Sequence, residues 1–316
     1  WVDFIRQIEG VIIADPDEAA EFKTDGGEGS GYIPKVVKTV SRISHQITLL
    51  ARDYKVLAEC TTETAKVTIP SPTRIHFHGG RAAVDKDTYP DMDDFWNDIA
   101  KFYQNEISAL EDIGCTYIQI DDPVLTYFLD NRMCDNLRNI GENPRSLIDT
   151  YANLLNKCTK YRRPETHLSM HLCRGNARSS WIVAGDYTRL ARAIFPVVDV
   201  DTFFLEYDDQ RSGDFEPLGL IAEGKNVVLG LVTSKRGELE TADDIKRRIE
   251  EASKYVPIEN LALSPQCGFA SVDVGNLITV GDQMAKLELV VKTLAQERDQ
   301  FGAVLQGMQE AVIAFD

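Results

Sequence analysis

The sequence is poor in the features that mark several common protein classes. Its six cysteines are spread from Cys60 to Cys267 without the spacing of a disulfide framework, so reduced thiols are expected. No apolar run approaches the roughly 20 residues of a membrane span, and no signal peptide is visible. Positive charge is in deficit, with 34 Lys and Arg against 50 Asp and Glu and a net charge of −16. This balance argues against nucleic acid and membrane surfaces as partners, and we expect a cytoplasmic protein that acts on small molecules.

The composition is that of a globular protein, with 43% hydrophobic and 27% charged residues in a chain of 316. This length allows one large α/β barrel or two smaller domains. Short apolar, β-branched runs alternate with amphipathic helical patterns, which predicts βα units and a parallel sheet. The predicted helices are Trp1–Ile8, Phe95–Ile113, Ser146–Leu155 with Ser146 as N-cap, Tyr187–Ile194, Ala242–Lys254 after the cap Thr241, and Gln283–Gln296.

Seven runs are candidate strands of that sheet. They are Val36–Val40, Val67–Ile69, Tyr117–Ile120, Leu168–Leu172, Phe203–Leu205, Val227–Leu231 and Leu261–Leu263. Seven is one short of a (β/α)8 TIM-type barrel, and the missing first strand would precede Trp1. We therefore predict a single barrel domain over residues 1–316, in which residues 297–316 form a C-terminal tail that packs on the domain or contributes to a homo-oligomer contact. The glycine-rich residues 25–31 are interpreted as a flexible loop, because no strand precedes them as in a phosphate-binding loop.

Four side chains from three predicted strand ends have the chemistry of a zinc site. His171 and Cys173 are two residues apart, so on a strand they point to the same face. Glu206 and Cys267 follow two later strands, and in a barrel all such ends share the rim where active sites are built. The alternative is that they are buried or rim residues without a metal. Ligands spread along the chain favour a reactive zinc site, which lowers the pKa of a bound thiol, over a structural one.

Other polar residues near predicted strand ends are weaker candidates. Asp121, ahead of its neighbour Asp122, is predicted to hold an ammonium group or accept a proton. The alternative for both is a helix cap or a rim ion pair. His76 and His78 lie in a predicted loop as a substrate contact, loop packing or a second metal site. Side chains that can bind a carboxylate or phosphate, or form surface ion pairs, are Arg174, Asn176 and Arg211.

These motifs resemble the catalytic barrel of cobalamin-independent methionine synthase. The matching pieces are Ile118-Gln119-Ile120-Asp121-Asp122-Pro123, His171-Leu172-Cys173-Arg174-Gly175-Asn176, Leu205-Glu206-Tyr207-Asp208-Asp209 and Ser264-Pro265-Gln266-Cys267-Gly268. They are closer to the short, single-barrel branch, which includes methionine-synthase-II-like proteins and epoxyalkane:coenzyme M transferase. The similarity spans about residues 1–295. The synthase motif has Asp-Glu-Pro where this chain has Asp121-Asp122-Pro123, and an Asp-Gly-Glu segment of the first strand would precede Trp1.

The resemblance implies a zinc-dependent methyltransferase that takes a small thiol, homocysteine, and an alkyl donor such as a methyl-folate to give methionine. It implies Zn²⁺ bound by His171, Cys173, Glu206 and Cys267. Asp121 and Glu206 are then the catalytic candidates. Asp121 would contact the amino group of the substrate, and the thiol would displace either Glu206 or a water from the zinc. The substrate-binding set is predicted to be Asp121, Ser264, His76 and Arg174. Alternatives are another alkyl transfer to a thiol, a barrel lyase or decarboxylase, and a zinc-binding homologue without catalysis.

Overall fold

The computed structural model describes residues 1–15, 35–270 and 275–301, with side chains up to residue 295. The helices are α1 (Val2–Arg6), α2 (Ala51–Glu59), α3 (Met92–Asp112), α4 (Pro123–Tyr127), α5 (Asn131–Asn139), α6 (Pro144–Thr159), α7 (Thr188–Ile194), α8 (Ala242–Ala252) and α9 (Val280–Phe301). The strands are β1 (Glu9–Ala14), β2 (Val36–Ser44), β3 (Val67–Pro70), β4 (Tyr117–Asp121), β5 (His167–Leu172), β6 (Thr202–Glu206), β7 (Asn226–Val232) and β8 (Leu261–Pro265).

The strands β3 to β8 follow one another in chain order in a six-stranded sheet. The pairs β3–β4, β4–β5, β6–β7 and β7–β8 are parallel. Helices alternate with these strands, so the predicted α/β class with a parallel sheet is confirmed. Parallel strands are covered on both faces and are therefore continuously apolar, which is why the short runs of Val, Ile, Leu and Phe were recognisable in the sequence.

Contacts divide the chain into two compact units. The first contains residues 1–15, 35–171 and 197–201, and therefore α1 to α6 with β1 to β4 and most of β5. Its core includes Ile69, Ile120 and Met170 from successive strands, together with Phe95 and Ile99 of α3. Tyr103 of α3 donates a hydrogen bond of 2.7 Å to the carbonyl of Pro70, which fixes the helix against the end of β3.

The second unit contains residues 172–196, 202–270 and 275–301, with α7 to α9 and β6 to β8. Phe203, Leu229 and Leu263 are buried core residues of its three strands. Gly230 of β7 allows the close approach of the chain after β8, because a Cβ at this position would lie 2.7 Å from Cα of Gln266. The segment that carries Gln266 and Cys267 is therefore held directly against β7.

One predicted strand has a different partner and direction. Residues 36–40, which we counted among the parallel strands, belong to β2, and β2 pairs antiparallel with β1 in a separate two-stranded sheet. The prediction was wrong because a β-branched run specifies an extended chain but neither its partner nor its direction. Strand β1 was missed: Gly10, with φ of 93°, interrupts the register inside it.

Helix ends follow local capping chemistry. Thr241 caps α8 as predicted, since its side chain accepts a hydrogen bond from the backbone N–H of Asp244. The cap of α6 was predicted wrongly: Asn143, not Ser146, accepts from the N–H of Arg145, and Pro144 occupies the first helical position.

The searched helices contain no segment that is long and apolar enough to span a bilayer. Residues 25–31 and 302–316 lie outside the described residues. The single-domain prediction over 1–316, with a tail at 297–316 and a strand before Trp1, stays a prediction.

Candidate metal centre

Four side chains with metal-binding donors converge at the ends of three strands. His171, Cys173, Glu206 and Cys267 each offer one ligand atom, and these atoms all lie within 4.8 Å of one another. His171 and Glu206 are buried, whereas Cys173 and Cys267 are partly exposed. A tetrahedral zinc with bonds of about 2.0–2.3 Å separates its ligands by roughly 3.3–3.8 Å, so small side-chain adjustments bring this set to zinc geometry. One imidazole, two thiols and one carboxylate therefore fit zinc in both chemistry and spacing.

The end of β5 supplies two of the four donors. His171 is in the strand and Cys173 is two residues further on, so the extended chain directs both side chains to one face. The backbone N–H of Gly175 donates to Sγ of Cys173 over 3.3 Å. This contact holds the sulfur of Cys173 in place, and the thiolate is the form of cysteine that binds a metal.

Glu206 is held in place by the chain that follows β5. Its carboxylate oxygen Oε1 accepts a 3.1 Å hydrogen bond from the backbone N–H of Arg174. Its own N–H donates to the hydroxyl oxygen of Tyr187 over 3.0 Å. The guanidinium of Arg174 lies over the Tyr187 ring at 4.3 Å and donates to the carbonyl of Gly185 over 2.5 Å. Arg174, which we predicted to contact substrate, is thus buried behind Glu206 and orients it.

Cys267 lies in a segment that asparagine side chains connect to two other strand ends. Asn176 donates from Nδ2 to the carbonyl of Gly268 over 2.7 Å. Asn276 donates to Oδ1 of Asn176 over 2.9 Å and to the carbonyl of Ser234 over 2.8 Å. The segments that follow β5, β7 and β8 are therefore linked through two side chains.

Asp121 lines a small cavity in the first unit. Its Oδ1 lies 4.0 Å from Nε2 of His171, and its side chain is 40% exposed. The cavity has a volume of about 270 Å³. Arg74 is buried in the same wall and stacks at 3.9 Å on the ring of Trp1. The lining residues are Trp1, Phe4, Leu50, Thr68, Pro70, Ser71, Arg74, Asp121 and Pro123.

Asp122 has the structural role that the sequence allowed for it. Its Oδ1 accepts from the N–H of Leu125, which makes it the N-cap of α4. Its Oδ2 accepts from the hydroxyls of Ser71 and Thr73 at 2.5 and 3.0 Å. Burial raises the pKa of this carboxyl, although these hydrogen bonds act in the opposite direction.

The structure does not bring His76 to the metal cluster. Its side chain is buried, with Nδ1 at 3.0 Å from the hydroxyl of Tyr151 and its ring at 4.8 Å from Trp96. Burial, followed by the charge of Arg81, lowers the pKa of His76 to about 3. The pKa of His78 is lowered to about 3 by burial and then by Arg74. A buried ring at His76 and a half-buried ring at His78, both neutral, fit the packing interpretation of this pair.

The side chains of Ser264 and Arg211, the remaining candidates, form hydrogen bonds and ion pairs within their own segments. The hydroxyl of Ser264 donates to the carbonyl of Pro265 over 2.8 Å. The guanidinium of Arg211 pairs with Asp208 and Asp209 and lies 4.8 Å above the ring of Trp181. The ion-pair interpretation of Arg211 therefore fits.

Sequence reasoning missed a pair of buried polar residues, one of which directly precedes Cys267. Lys235 donates from Nζ to Oε1 of Gln266 over 2.7 Å, and both residues are buried. The polar run Thr233-Ser234-Lys235 at the end of a predicted strand was the sequence feature that could have indicated Lys235. Its pairing with the segment after β8 depends on the fold.

A family model described as "Cobalamin-independent synthase, Catalytic domain" matches residues 56–287. The Bacillus subtilis protein named "Uncharacterized protein YxjG" is 40% identical over 293 residues, covering 92% of this chain and 75% of its own length. The methionine synthase of Pyrococcus abyssi is 27% identical over 246 residues, covering 78% of this chain and 62% of its own.

Two solved structures have a similar fold. A Listeria monocytogenes protein assigned to the vitamin-B12-independent methionine synthases aligns with a TM-score of 0.69 and 32% identity, over 93% of this chain and 77% of that one. A B12-independent methionine synthase from Shewanella, solved with selenomethionine, aligns with a TM-score of 0.65 and 20% identity, over 95% of this chain and 79% of that one. The similarity to the Shewanella protein supports a shared fold only.

Proposed function

Because the chain belongs to the family of the cobalamin-independent synthase catalytic domain, we propose that it is a zinc-dependent transferase. The thiol that it activates is homocysteine, the transferred group is methyl, and the product is methionine. A methyl-folate is the proposed donor. Relatives named methionine synthase support methionine as the product.

The convergence of His171, Cys173, Glu206 and Cys267 is the observation that carries the proposal. These four residues would hold the zinc. When bound, zinc lowers the pKa of a coordinated thiol and so supplies a thiolate nucleophile at neutral pH. A ligand set with two thiolates and a carboxylate is electron-rich, which favours a nucleophilic sulfur over the activation of water for hydrolysis.

The protein's own part is to bind and orient the thiol. Asp121 lines the cavity, is 40% exposed and lies 4.0 Å from His171, so we assign its carboxylate to the ammonium group of the substrate. The cavity volume of about 270 Å³ suits an amino acid rather than a polymer. Arg174 contributes from behind, because its N–H fixes the carboxylate of Glu206.

Metal content and thiol binding test this proposal together. The wild-type protein is expected to retain about one zinc per chain, and its cobalt-substituted form is expected to gain a sulfur-to-metal charge-transfer band when homocysteine is added. Cys173→Ser is expected to lose the metal and the band. Cys60→Ser, which changes an exposed cysteine outside the cluster, is the matched control and is expected to retain both.

Two results would contradict the proposal. A wild-type protein that binds zinc, but whose cobalt-substituted form gives no new band with homocysteine, is not a thiol-activating enzyme of this kind. Equal metal loss in Cys173→Ser and Cys60→Ser would mean that the metal is bound elsewhere.

A further inference from the structure

Lys235 is a buried cation that pairs with no carboxylate among the residues that the structure describes. The residue is 5% exposed, and its bond to Oε1 of Gln266 is the only one that its ammonium makes among the described residues. An ammonium carries three donors, and burying it without an anion is costly. Lys286 provides the contrast, because it is also buried but pairs with Glu240 at 3.0 Å.

Two further buried polar atoms adjoin this ammonium in the chain. Gln266 is 2% exposed, and its Nε2 has no acceptor in the part of the chain that the structure describes. Ser234 is fully buried, and its hydroxyl likewise has no partner among those residues. Nearly all buried polar groups in proteins are hydrogen-bonded, so an ammonium, an amide N–H₂ and a hydroxyl in this condition call for an acceptor.

The backbone fixes these groups beside the candidate metal ligand Cys267. The N–H of Gln266 donates to the carbonyl of Val232 over 2.8 Å, and Gly230 lies directly beneath Gln266. The next residue in the chain is Cys267. A small ligand can therefore reach both sites, with its sulfur or alkyl group at the metal and its anionic group at Lys235 and Gln266.

From these observations we propose that Lys235 and Gln266, with Ser234, form a carboxylate-binding subsite next to the metal cluster. The ammonium supplies the charge and the amide supplies a second, directional donor, which is the arrangement that stabilises an anionic oxygen. The proposal rests on the function proposed above and extends it, because it assigns the group that recognises the acidic end of a substrate. That acidic end belongs either to the thiol or to the donor.

Direct binding to the zinc-loaded protein, measured by titration calorimetry, tests the subsite. The thiol probes are homocysteine and 3-aminopropane-1-thiol, which is homocysteine without its carboxylate. The donor probes are 5-methyltetrahydrofolate and a methylated tetrahydropterin that lacks the glutamate. Each pair gives a ratio of affinities that reports what the missing acidic group contributes to binding.

Lys235→Met is expected to reduce one of these ratios by about tenfold or more, as expected for a lost charge-assisted hydrogen bond, and to leave binding of the carboxylate-free probe unchanged. Lys235→Arg is expected to restore part of the ratio. Lys292→Met removes an exposed lysine, and it is expected to change neither ratio. Loss of the thiol ratio assigns the carboxylate to the thiol, and loss of the donor ratio assigns it to the donor.

Unchanged ratios in Lys235→Met, or equal loss with and without the carboxylate, would overturn the proposal. If Lys235→Met loses its zinc or does not fold, Gln266→Met and Lys235→Arg decide by the same ratios. A wild-type protein that binds zinc but no thiol would refute the proposed function, and with it the subsite. Thiol binding with unaltered ratios would refute the subsite alone.

Discussion

Lys286 allows a sharp test of how the second unit is stabilised. Its side chain is fully buried in α9, where Nζ donates to the carbonyl of Glu238 over 2.6 Å and to Oε2 of Glu240 over 3.0 Å. Glu240 in turn accepts from the N–H of Thr233 over 2.8 Å. One lysine thus connects the last helix to the chain that follows β7. Lys286→Met keeps most of the side-chain volume and removes only the charge and the donors.

The expected cost follows from these contacts. Hydrogen bonds to charged groups contribute about 1.5–3 kcal/mol each, and breaking a buried ion pair costs about 3–5 kcal/mol. Glu240 is 20% exposed and keeps its bond from Thr233, so water offsets part of the loss. We expect Lys286→Met to lower the free energy of unfolding by about 3 kcal/mol, which corresponds to a fall in Tm of roughly 6–12 °C.

The same substitution elsewhere in α9 is the control. Lys292 pairs with Glu288 at 3.0 Å, but their side chains are 70% and 62% exposed. Exposed helical pairs contribute about 0.3–0.5 kcal/mol, so Lys292→Met is expected to shift Tm by about 1 °C. Thermal unfolding followed by circular dichroism compares the two variants. Equal shifts would refute the reasoning, as would a failure of Glu240→Gln to recover stability in the Lys286→Met background.

Three further predictions concern the metal, the strand contact and pH. Chelation of zinc is expected to lower Tm, since a metal at 100 times its Kd stabilises by about 2.7 kcal/mol, and a Tm that is insensitive to a chelator would argue against a resident metal. Gly230→Ala is expected to lower the free energy of unfolding by about 1–3 kcal/mol and to weaken zinc retention, because its Cβ would lie 2.7 Å from Cα of Gln266. Unchanged urea unfolding and zinc content would contradict this. Burial lowers the pKa of His76 to about 3, so the contribution of this ring to stability is full above pH 6.5 and is lost as the pH falls from 6.5 to 3. The slope is at most about 1.4 kcal/mol per pH unit, and the carboxylate of Glu142, 3.6 Å from the ring, reduces it because it favours the protonated form. His76→Gln is expected to flatten this slope in urea titrations, and an unaltered slope would show that the ring does not set it.

Local patterns in the sequence predicted the elements better than their partners. The apolar runs at 117–120 and 203–205 became β4 and β6, because strands buried on both faces need continuous apolar residues. The run at 36–40 was also extended, yet it pairs antiparallel with β1. Partner and direction depend on contacts between distant segments, which periodicity does not encode.

In the candidate site too, the sequence predicted the residue types but not the surroundings of each side chain. His171, Cys173, Glu206 and Cys267 were found because donor types at strand ends are visible in the sequence, and the fold brings them within 4.8 Å. The environments of single side chains were not visible. His76 looked like a rim residue, but Tyr151 and Trp96 from two separate helices enclose it.

The roles of Lys235 and Arg174 also depended on tertiary contacts. Lys235 gains significance from Gln266, which lies 31 positions later in the chain. Arg174 was expected at the substrate because it adjoins Cys173, whereas its guanidinium turns to Tyr187 and Gly185. In both cases a neighbour from another element decides the direction of the side chain.

The asparagine links between strand ends have a kinetic consequence. Asn176 holds the carbonyl next to Cys267, and Asn276 joins Asn176 to the carbonyl of Ser234. A backbone fluctuation that withdraws the segment of Cys267 from the other donors must break this chain of hydrogen bonds, so the three segments open together. Release of a bound metal is then limited by a concerted opening rather than by the dissociation of one ligand. Asn176→Ala would accelerate that release even where the affinity of the closed site is unaltered.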